Sequence, residues 1–450
     1  MLVDLKFTKL KKILSWCFGS TAHLVAFQKA IQAFTGLLTA LLVTNFLTLN
    51  EQGYFYTIGS LLSSYILLDF GLSNFLVQDS ARYFSELNWS PNNTLVPLSN
   101  QGKSAFLSLV NWVLRWYAKL GILTLFLIPI GFFYFSYAKT TDAVAWQLPW
   151  IAVVCSLALS MPAIGFLAVL EGVEKIRETY VVRIFHYLIG AILAWMLLMV
   201  GHGLYAQSMA PLAIAIIVYI WVGTQFKPFI KEALTHQVAF PWKTDLLPQQ
   251  KKVAMSWLSN YLFLHVPVPI VFYFSGSVDA GRMGLSMVIA NVSCAIAMSW
   301  VTAVTPQLST LVARNKAAEA KVAFEKSFAI SAVLLALGVL AFFLINSTFQ
   351  ASSIAHRILP PIQTLLVFIA FAAFHSMSAL IVYFRAFRRE PLAIPNLIAT
   401  LLIVMVGCFV VPRFGAESLT ALMALIYFIL MVYSLFIFLR FNTRKLPTNV

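Results

Sequence analysis

Polar side chains set at helical spacing inside apolar stretches are where this sequence could do chemistry. Gln28, Gln32, Thr35 and Thr39 recur at steps of four, three and four, so one helix face carries four hydrogen-bonding groups, with Lys29 beside them. Further along, Ser60, Ser64, Gly71, Asn74 and Gln78 line a similar face, and Asp69 lies about 100° around from it. Ser256, Asn260 and His265 mark a third stretch, and Ser286, Asn291 and Ser293 a fourth. Amides and hydroxyls in such rows bind and guide polar solutes rather than break bonds. Polar groups facing lipid are costly, so the rows are expected to face a water-filled cavity or a neighbouring helix. The candidate substrate-cavity residues are therefore Gln28, Lys29, Gln32, Asp69, Asn74, Gln78, Asn260, His265 and Asn291.

Lys29 and Asp69 are the charges set clearly inside the first two apolar stretches. An unpaired charge near mid-bilayer costs about 2.5–3.5 kcal/mol on insertion scales. Both residues fall on the inner half of their stretches, so a Lys29–Asp69 pair is expected. The alternatives are contact of Lys29 with an anionic substrate, or a Lys29 side chain that snorkels to the interface. His186, His265 and His375 stand isolated and read as helix contacts ahead of proton carriers. Glu171, Glu174, Lys175, Arg177 and Glu178 read as a solvated turn.

Catalytic signatures are missing. The sequence holds no Walker A loop, GxSxG, HExxH or GxGxxG, and its four cysteines (Cys17, Cys155, Cys294, Cys408) form no CxxC or Cys/His metal spacing. The expectation is a chain that is not an enzyme, with no cofactor, no metal and buried free thiols.

The elements that must hold these residues follow from composition. Of 450 residues, 60% are apolar and 10% charged, and the mean hydropathy is +0.85. An ordinary soluble domain carries about 25% charged residues, so most of this chain is solvated by lipid. Twelve apolar runs emerge, near 22–48, 54–78, 117–137, 147–170, 179–200, 206–225, 253–275, 284–311, 324–346, 358–384, 391–411 and 417–440. None alternates like a barrel strand. The fold class is an all-α polytopic membrane protein of about twelve transmembrane helices, in two six-helix lobes.

Counting Lys and Arg loop by loop orients it. With the N-terminus inside, 26 of the 31 basic residues fall in inside segments, and the outside loops hold Lys139, Arg282, Arg357 and Arg413. The net charge of +15 is thus assigned to cytoplasmic loops and anionic lipid, with no nucleic acid as partner. The basic start, with Lys6, Lys9, Lys11 and Lys12, reads as retained. Residues 103–119, rich in Trp and basic groups, read as a helix lying in the inner interface, and Trp146 and Trp150 as outer belt anchors.

Residues 226–252 divide the runs six and six, giving an N-terminal lobe (1–225), a cytoplasmic linker (226–252) and a C-terminal lobe (253–450). The halves are weakly similar: Gly53-Tyr54 and Gly284 open runs two and eight, and Glu174–Arg177 and Phe387–Glu390 form basic turns after runs four and ten. Halves of six spans share one orientation, an arrangement common in transporters.

Several short motifs carry a family resemblance. They are Asn50-Glu51-Gln52-Gly53-Tyr54-Phe55, Leu68-Asp69-Phe70-Gly71-Leu72-Ser73, Leu170-Glu171-Gly172, and Pro306-Gln307-Leu308-Ser309 running to Ala313-Arg314. With this layout the chain resembles the polysaccharide and O-antigen flippases of the multidrug/oligosaccharidyl-lipid/polysaccharide exporter superfamily. That resemblance implies two lobes forming a V around a central cavity, often with cationic residues in it. It implies alternating-access transfer of undecaprenyl-pyrophosphate-linked oligosaccharide, such as an O-antigen repeat unit of lipopolysaccharide, across a bacterial cytoplasmic membrane. Polymerase or chain-length machinery would then be among its partners. The rival readings are a cation-coupled multidrug or small-molecule antiporter, with Asp69 as the coupling carboxylate, and a membrane polymerase or ligase of polysaccharide assembly.

Overall fold

The computed structural model describes residues 21–98, 100–139, 144–245, 247–348 and 355–443; Cys17 and the basic Lys6–Lys12 segment lie outside them. Nineteen α-helices and one small hairpin are found among the described residues. In chain order they begin with α1 (Thr21–Phe46), α2 (Leu49–Leu62), α3 (Tyr65–Asp69) and α4 (Leu72–Phe84), then strands β1 (Leu87–Trp89) and β2 (Leu95–Pro97). Next come α5 (Asn100–Thr124), α6 (Leu127–Tyr137), α7 (Gln147–Gly172), α8 (Ile176–Met199), α9 (Ala206–Gln225), α10 (Lys227–Thr235) and α11 (Trp242–Asp245). The remainder are α12 (Leu247–His265), α13 (Pro267–Ser275), α14 (Ser277–Ala303) and α15 (Thr305–Ala313). The chain closes with α16 (Ala317–Thr348), α17 (Pro361–Ala386), α18 (Ala393–Phe414) and α19 (Ala416–Thr443).

Among the described residues, eleven helical segments are long and apolar enough to cross a membrane, and one bent pair makes up to twelve. The bent pair is the second apolar run, Leu49–Asp69 joined to Leu72–Phe84 at 41°. The protein is a mostly helical, multi-pass membrane protein.

Contacts divide the chain into two compact units. The first groups the described residues up to Phe46 with Ser64–Ser136 and Ala145–Ala254. Within it α7 is the hub: α4, α5 and α9 pack on it, 72% of its most apolar stretch is buried, and α1 runs along α8. The second unit groups Leu47–Ser63 and the described residues of Tyr137–Val144 with everything from Met255 onward. There α14 is the hub, with α2, α13, α16 and α17 against it, and α17 and α18 pack on α19.

The second apolar run therefore contributes α2 to one unit and α3–α4 to the other. A capping box starts α2: the Glu51 amide donates to Thr48 Oγ1 at 3.2 Å and the Thr48 amide to Glu51 Oε2 at 2.8 Å. Gly53, fifth in α2, crosses Gly281, fifth in α14, so closely that a Cβ on Gly53 would stand 1.9 Å from the Ser277 carbonyl oxygen. Gln52, fully buried, seals the crossing by donating from Nε2 to the Gly281 oxygen (2.9 Å) and the Arg357 oxygen (3.0 Å).

The expected kinship of the halves has a backbone counterpart. The turn after α7 holds Glu174 at φ 65° and the turn after α17 holds Arg388 at φ 56°; α8 and α18 are followed by Gly201 (φ 83°) and Gly415 (φ 76°). Both pairs are offset by 214 residues (174 to 388, 201 to 415).

Three expectations are corrected, and one element is new. Residues 103–119 are no separate interfacial helix but the body of α5, continuous to Thr124. Trp150 and Trp146 are not lipid-facing anchors: they are 1% and 7% exposed, and both pack on Phe135. The Trp150 indole N–H is satisfied internally, by the Ile128 carbonyl at 3.2 Å. Cys408 is exposed, whereas Cys294 is buried as expected and Cys155 half-buried. Residues 85–98 fold into an antiparallel hairpin that no apolar alternation announced, because Trp89 fixes it: its indole N–H donates to the Val173 oxygen at 2.9 Å.

Candidate functional site

The break in the second run is set by two consecutive left-handed residues, Phe70 at φ 44° and Gly71 at φ 73°. Glycine enters that region freely, but phenylalanine there costs about 1–2 kcal/mol. Asp69 offsets that strain by bonding across the break. Its Oδ2 accepts from the Ser73 hydroxyl at 2.9 Å and, more weakly, from the Ser73 amide at 3.4 Å, in the first turn of α4. Its Oδ1 accepts from the Tyr117 hydroxyl on α5, and Gln250 Nε2 donates to its backbone carbonyl at 3.1 Å. Asp69 is buried, and its carboxylate is matched by donors rather than by a cation.

The expected Lys29–Asp69 pair is accordingly not formed. Lys29 stands instead on α1, which packs along α8, the helix that carries Arg183. Packing of α1 along α8 produces this: Leu24, Tyr180 and Ile184 form a small core flanked by Val25, Phe27 and Ile31, and further along the Trp195 indole donates to Thr39 Oγ1 at 2.9 Å. Arg183 pairs with Glu171 at 2.7 Å, and the Tyr180 hydroxyl donates to the other Glu171 oxygen at 2.9 Å. The guanidinium also lies 5.1 Å over the Tyr180 ring. Arg183 is thus paired with Glu171, and the Lys29 side chain is exposed, with no ion pair to a described carboxylate.

Tyr187 lies one turn beyond Arg183 on α8, Tyr65 opens α3, and Tyr117 on α5 bonds Asp69, all within the first unit. Two cations with phenolic donors suit an anion whose oxygens accept several hydrogen bonds, such as a phosphate. Among the described residues no cluster of His, Cys, Asp or Glu could hold a metal ion.

The remaining candidates separate between the units. Gln28 is buried (2% exposed) among helix contacts, whereas Gln32 on α1 and Asn74 and Gln78 on α4 are exposed. These belong to the first unit. In the second, Asn260 on α12 and Asn291 on α14 are exposed, while His265 is half-buried with its ring stacked on Tyr261 at 5.7 Å. Because the run is broken, Ser60, Ser64, Gly71, Asn74 and Gln78 do not share one helix face. The Glu171 cluster is also corrected: Glu171 is tied to Arg183 and Tyr180, and only the remainder resembles a solvated turn.

Arg183, Tyr65, Tyr117 and Tyr187 were absent from the sequence-based set. Arg183 already fell inside the 179–200 run but was counted with the inside basic residues; it is the eighth residue of α8, about 10 Å along the helix.

No protein-family model matches the sequence. No curated protein matches it either. Solved structures do match the fold. An inward-facing multidrug-resistance MATE transporter of the MOP superfamily superposes at TM-score 0.64 with 11% identity, over 92% of this chain and 100% of that one. The lipid II flippase MurJ, in an inward closed conformation, gives 0.63 and 14% identity over 91% and 86%. A MATE protein in complex with MaL6 gives 0.55 and 14% over 95% and 98%. The chain has the fold of these transporters along nearly its whole length.

Proposed function

We propose that this protein is a flippase of the multidrug/oligosaccharidyl-lipid/polysaccharide exporter superfamily that moves a polyprenyl-pyrophosphate-linked oligosaccharide, such as an O-antigen repeat unit, from the inner to the outer leaflet of a bacterial cytoplasmic membrane. The observation that carries the reading is the cation excess of Lys29 and Arg183 over Glu171 within apolar helices. Charge at such depth is expensive, and it is retained where it meets an opposite charge. A pyrophosphate supplies that charge, and the exposed amides Gln32, Asn74 and Gln78 of the same unit supply hydrogen bonds for a sugar head group. A membrane potential positive outside favours outward movement of an anion by about 2.3 kcal/mol per charge per 100 mV. The likeness of fold to a lipid II flippase supports the lipid-linked class of substrate.

The rival antiporter reading rests on Asp69 as a coupling carboxylate. Asp69 already accepts from Ser73 and Tyr117 and bridges a helix break, which supports a structural role instead. Deleting the gene separates the readings. A flippase defect leaves complete lipid-linked units on the inner leaflet, whereas units found outside would point to a polymerase or ligase and overturn the proposal. Orientation is tested with reporter fusions: positions near 50, 140, 203, 279, 356 and 414 should report outside, and positions near 90, 175, 240, 316, 388 and 445 inside. Two reversed sites would overturn it.

A further inference from the structure

A recess opens beside α5 in the first unit. The cavity measures about 700 Å³ and is lined by α5 and the segment that joins α10 to α11. Its frame is tied down at several points. Ser104 Oγ bonds His236 Nε2 at 3.2 Å, Lys103 pairs with Glu232 at 2.5 Å, and Phe240 packs on Tyr83 at 5.9 Å. Trp112, Trp116 and Trp242 pack on one another with ring centroids 5.6–6.1 Å apart, so the indoles form a fixed wall. Cations stand on and beside the recess. Arg115 lines it and is exposed, Lys119 is exposed one turn further along α5, and Lys243 is exposed with its ammonium 5.9 Å from the Trp242 ring. None of the three forms an ion pair with a described carboxylate, and Glu232 is taken by Lys103.

Where these cations stand along α5 says which anion they meet. Lys119 is the last charge before an uncharged run, residues 120–137. At 1.5 Å per residue that run covers about 27 Å, close to the ~30 Å of a bilayer's hydrocarbon core. Arg115 and Lys119 therefore stand at the level of the lipid head groups. Arg115, Lys119 and Ile122 fall within an arc of about 60° on α5, and Ile122 and Leu123 are 64% and 46% exposed. One helix face thus presents two cations and then exposed hydrocarbon within about 10 Å. Tyr117, about 200° around from Arg115, is buried and bonds Asp69, so the opposite face of α5 belongs to the interior. Across the recess, Leu234 and Val238 line it and are exposed too. A small soluble anion would satisfy the cations and leave this apolar surface uncovered. A phospholipid meets both demands: its phosphate oxygens accept from guanidinium and ammonium, and its acyl chains cover the hydrocarbon. Basic pockets between membrane helices bind lipid head groups in this way.

We infer that this recess holds the head group of an anionic glycerophospholipid, with Arg115 and Lys119 on the phosphate, Lys243 at the rim and the acyl chains along the Ile122 face of α5. A zwitterionic head would set its own positive group among three cations, which favours an anionic one. The lipid belongs to the surrounding bilayer and is not the transported molecule. The site shares no residue with the Lys29–Arg183 group, so it holds whatever the protein carries.

Native mass spectrometry tests it on the full chain, purified and delipidated in detergent. Dioleoyl-phosphatidylglycerol should bind about tenfold more tightly than dioleoyl-phosphatidylcholine, and glycerol phosphate, which lacks the chains, should bind far more weakly than either. Arg115→Ala/Lys119→Ala should weaken phosphatidylglycerol about thirtyfold, the equivalent of about 1 kcal/mol for each basic residue. Arg115→Lys/Lys119→Arg keeps both charges and should keep most of the binding. Lys227→Ala/Lys231→Ala removes two exposed cations of α10 and should leave it unchanged. An equal loss in that control would reduce the effect to general attraction by a positive surface and overturn the proposal. Equal binding of phosphatidylcholine or of glycerol phosphate would overturn it, as would unchanged binding in Arg115→Ala/Lys119→Ala. Undecaprenyl pyrophosphate should leave bound phosphatidylglycerol in place; displacement would reassign the recess to a transported lipid and overturn it too. Lys29→Ala/Arg183→Ala should bind phosphatidylglycerol normally, so failure of transport and failure of this site are read separately.

Discussion

In the first unit, Arg183 lies two turns inside α8 and pairs with Glu171, next to last in α7; Asp69, last in α3, is held by hydroxyls, and Lys29 on α1 makes no ion pair to a described carboxylate. The second unit stitches its interior with uncharged amide, hydroxyl and imidazole groups. Ser331 Oγ donates to the Ala297 carbonyl at 2.6 Å and meets His375 Nε2 at 2.9 Å, and the Tyr427 hydroxyl donates to Asn396 at 3.0 Å. Its ion pairs join residues close in chain position near helix ends, as with Asp279–Arg282 on α14, Lys316–Glu319 at the start of α16 and Arg385–Glu390 after α17, whereas Arg183 reaches from α8 to the end of α7. Neutral pairs fasten helices at little desolvation cost, whereas embedded charges must be matched or used. The difference sets the neutral interior pairs of the second unit against the Glu171–Arg183 pair and donor-matched Asp69 of the first, and it supports the role proposed for Lys29 and Arg183.

The sharpest test of that division is the double variant Lys29→Ala/Arg183→Ala. Transport of the lipid-linked unit, measured in reconstituted vesicles, should fall about a hundredfold, as the loss of two charge-assisted contacts predicts. Lys29→Ala alone should lose about tenfold, and Lys29→Arg should keep part of the activity because the charge and its donors remain. Asp69→Asn should not rescue Lys29→Ala, since the two do not pair. A rescue would restore the pairing that the packing denies and break the comparison.

Effects on folding come next. Gly53→Val puts a branched side chain where the Ser277 backbone already stands, so the α2–α14 crossing must open. Thermal unfolding in detergent should show a loss of about 1–3 kcal/mol. Tyr117→Phe removes a donor from buried Asp69 and should cost about 1–3 kcal/mol, loosening the α3–α4 break. The smallest effect belongs to Ser331→Ala. It strips His375 Nε2 of its partner and should cost about 1 kcal/mol while transport is retained. A transport defect in Ser331→Ala without loss of stability would place charge handling, or proton handling, in the second unit as well.

The spans were legible because lipid leaves a one-dimensional trace: about twenty apolar residues, then a basic or short polar connection. Every apolar run reappears as a helix or a bent pair of helices. The candidate site was legible in part. Lys29 and Asp69 stand out in any scan for embedded charge, but which cation meets which carboxylate depends on helix pairing, and α1 lies on α8 rather than on α3. Arg183 was passed over because it stands near the start of the 179–200 run, close to Lys175 and Arg177, and was counted with that basic segment. The break at Phe70-Gly71 was invisible to hydropathy because it changes backbone angles and not side-chain polarity. Trp150 misled for a related reason: tryptophan near a span end suits the interface, and only tertiary contacts reveal that it is buried.

The crossing of α2 with α14 also constrains the order in which this chain can be built. Gln52 finds its acceptors on residues 229 and 305 positions later. At ordinary synthesis rates of roughly 5–20 residues per second, about 15–60 s pass before the last of them exists. During that interval a segment bearing Asn50, Glu51 and Gln52 sits in or beside the bilayer without its partners. The ribosome therefore hands the membrane an unfinished helix early, and whatever shelters that helix until Arg357 emerges becomes part of how the protein matures. A gene cut between the two halves would strand α2 on the wrong polypeptide, so the later half could close its own interior only by borrowing a piece of the earlier one.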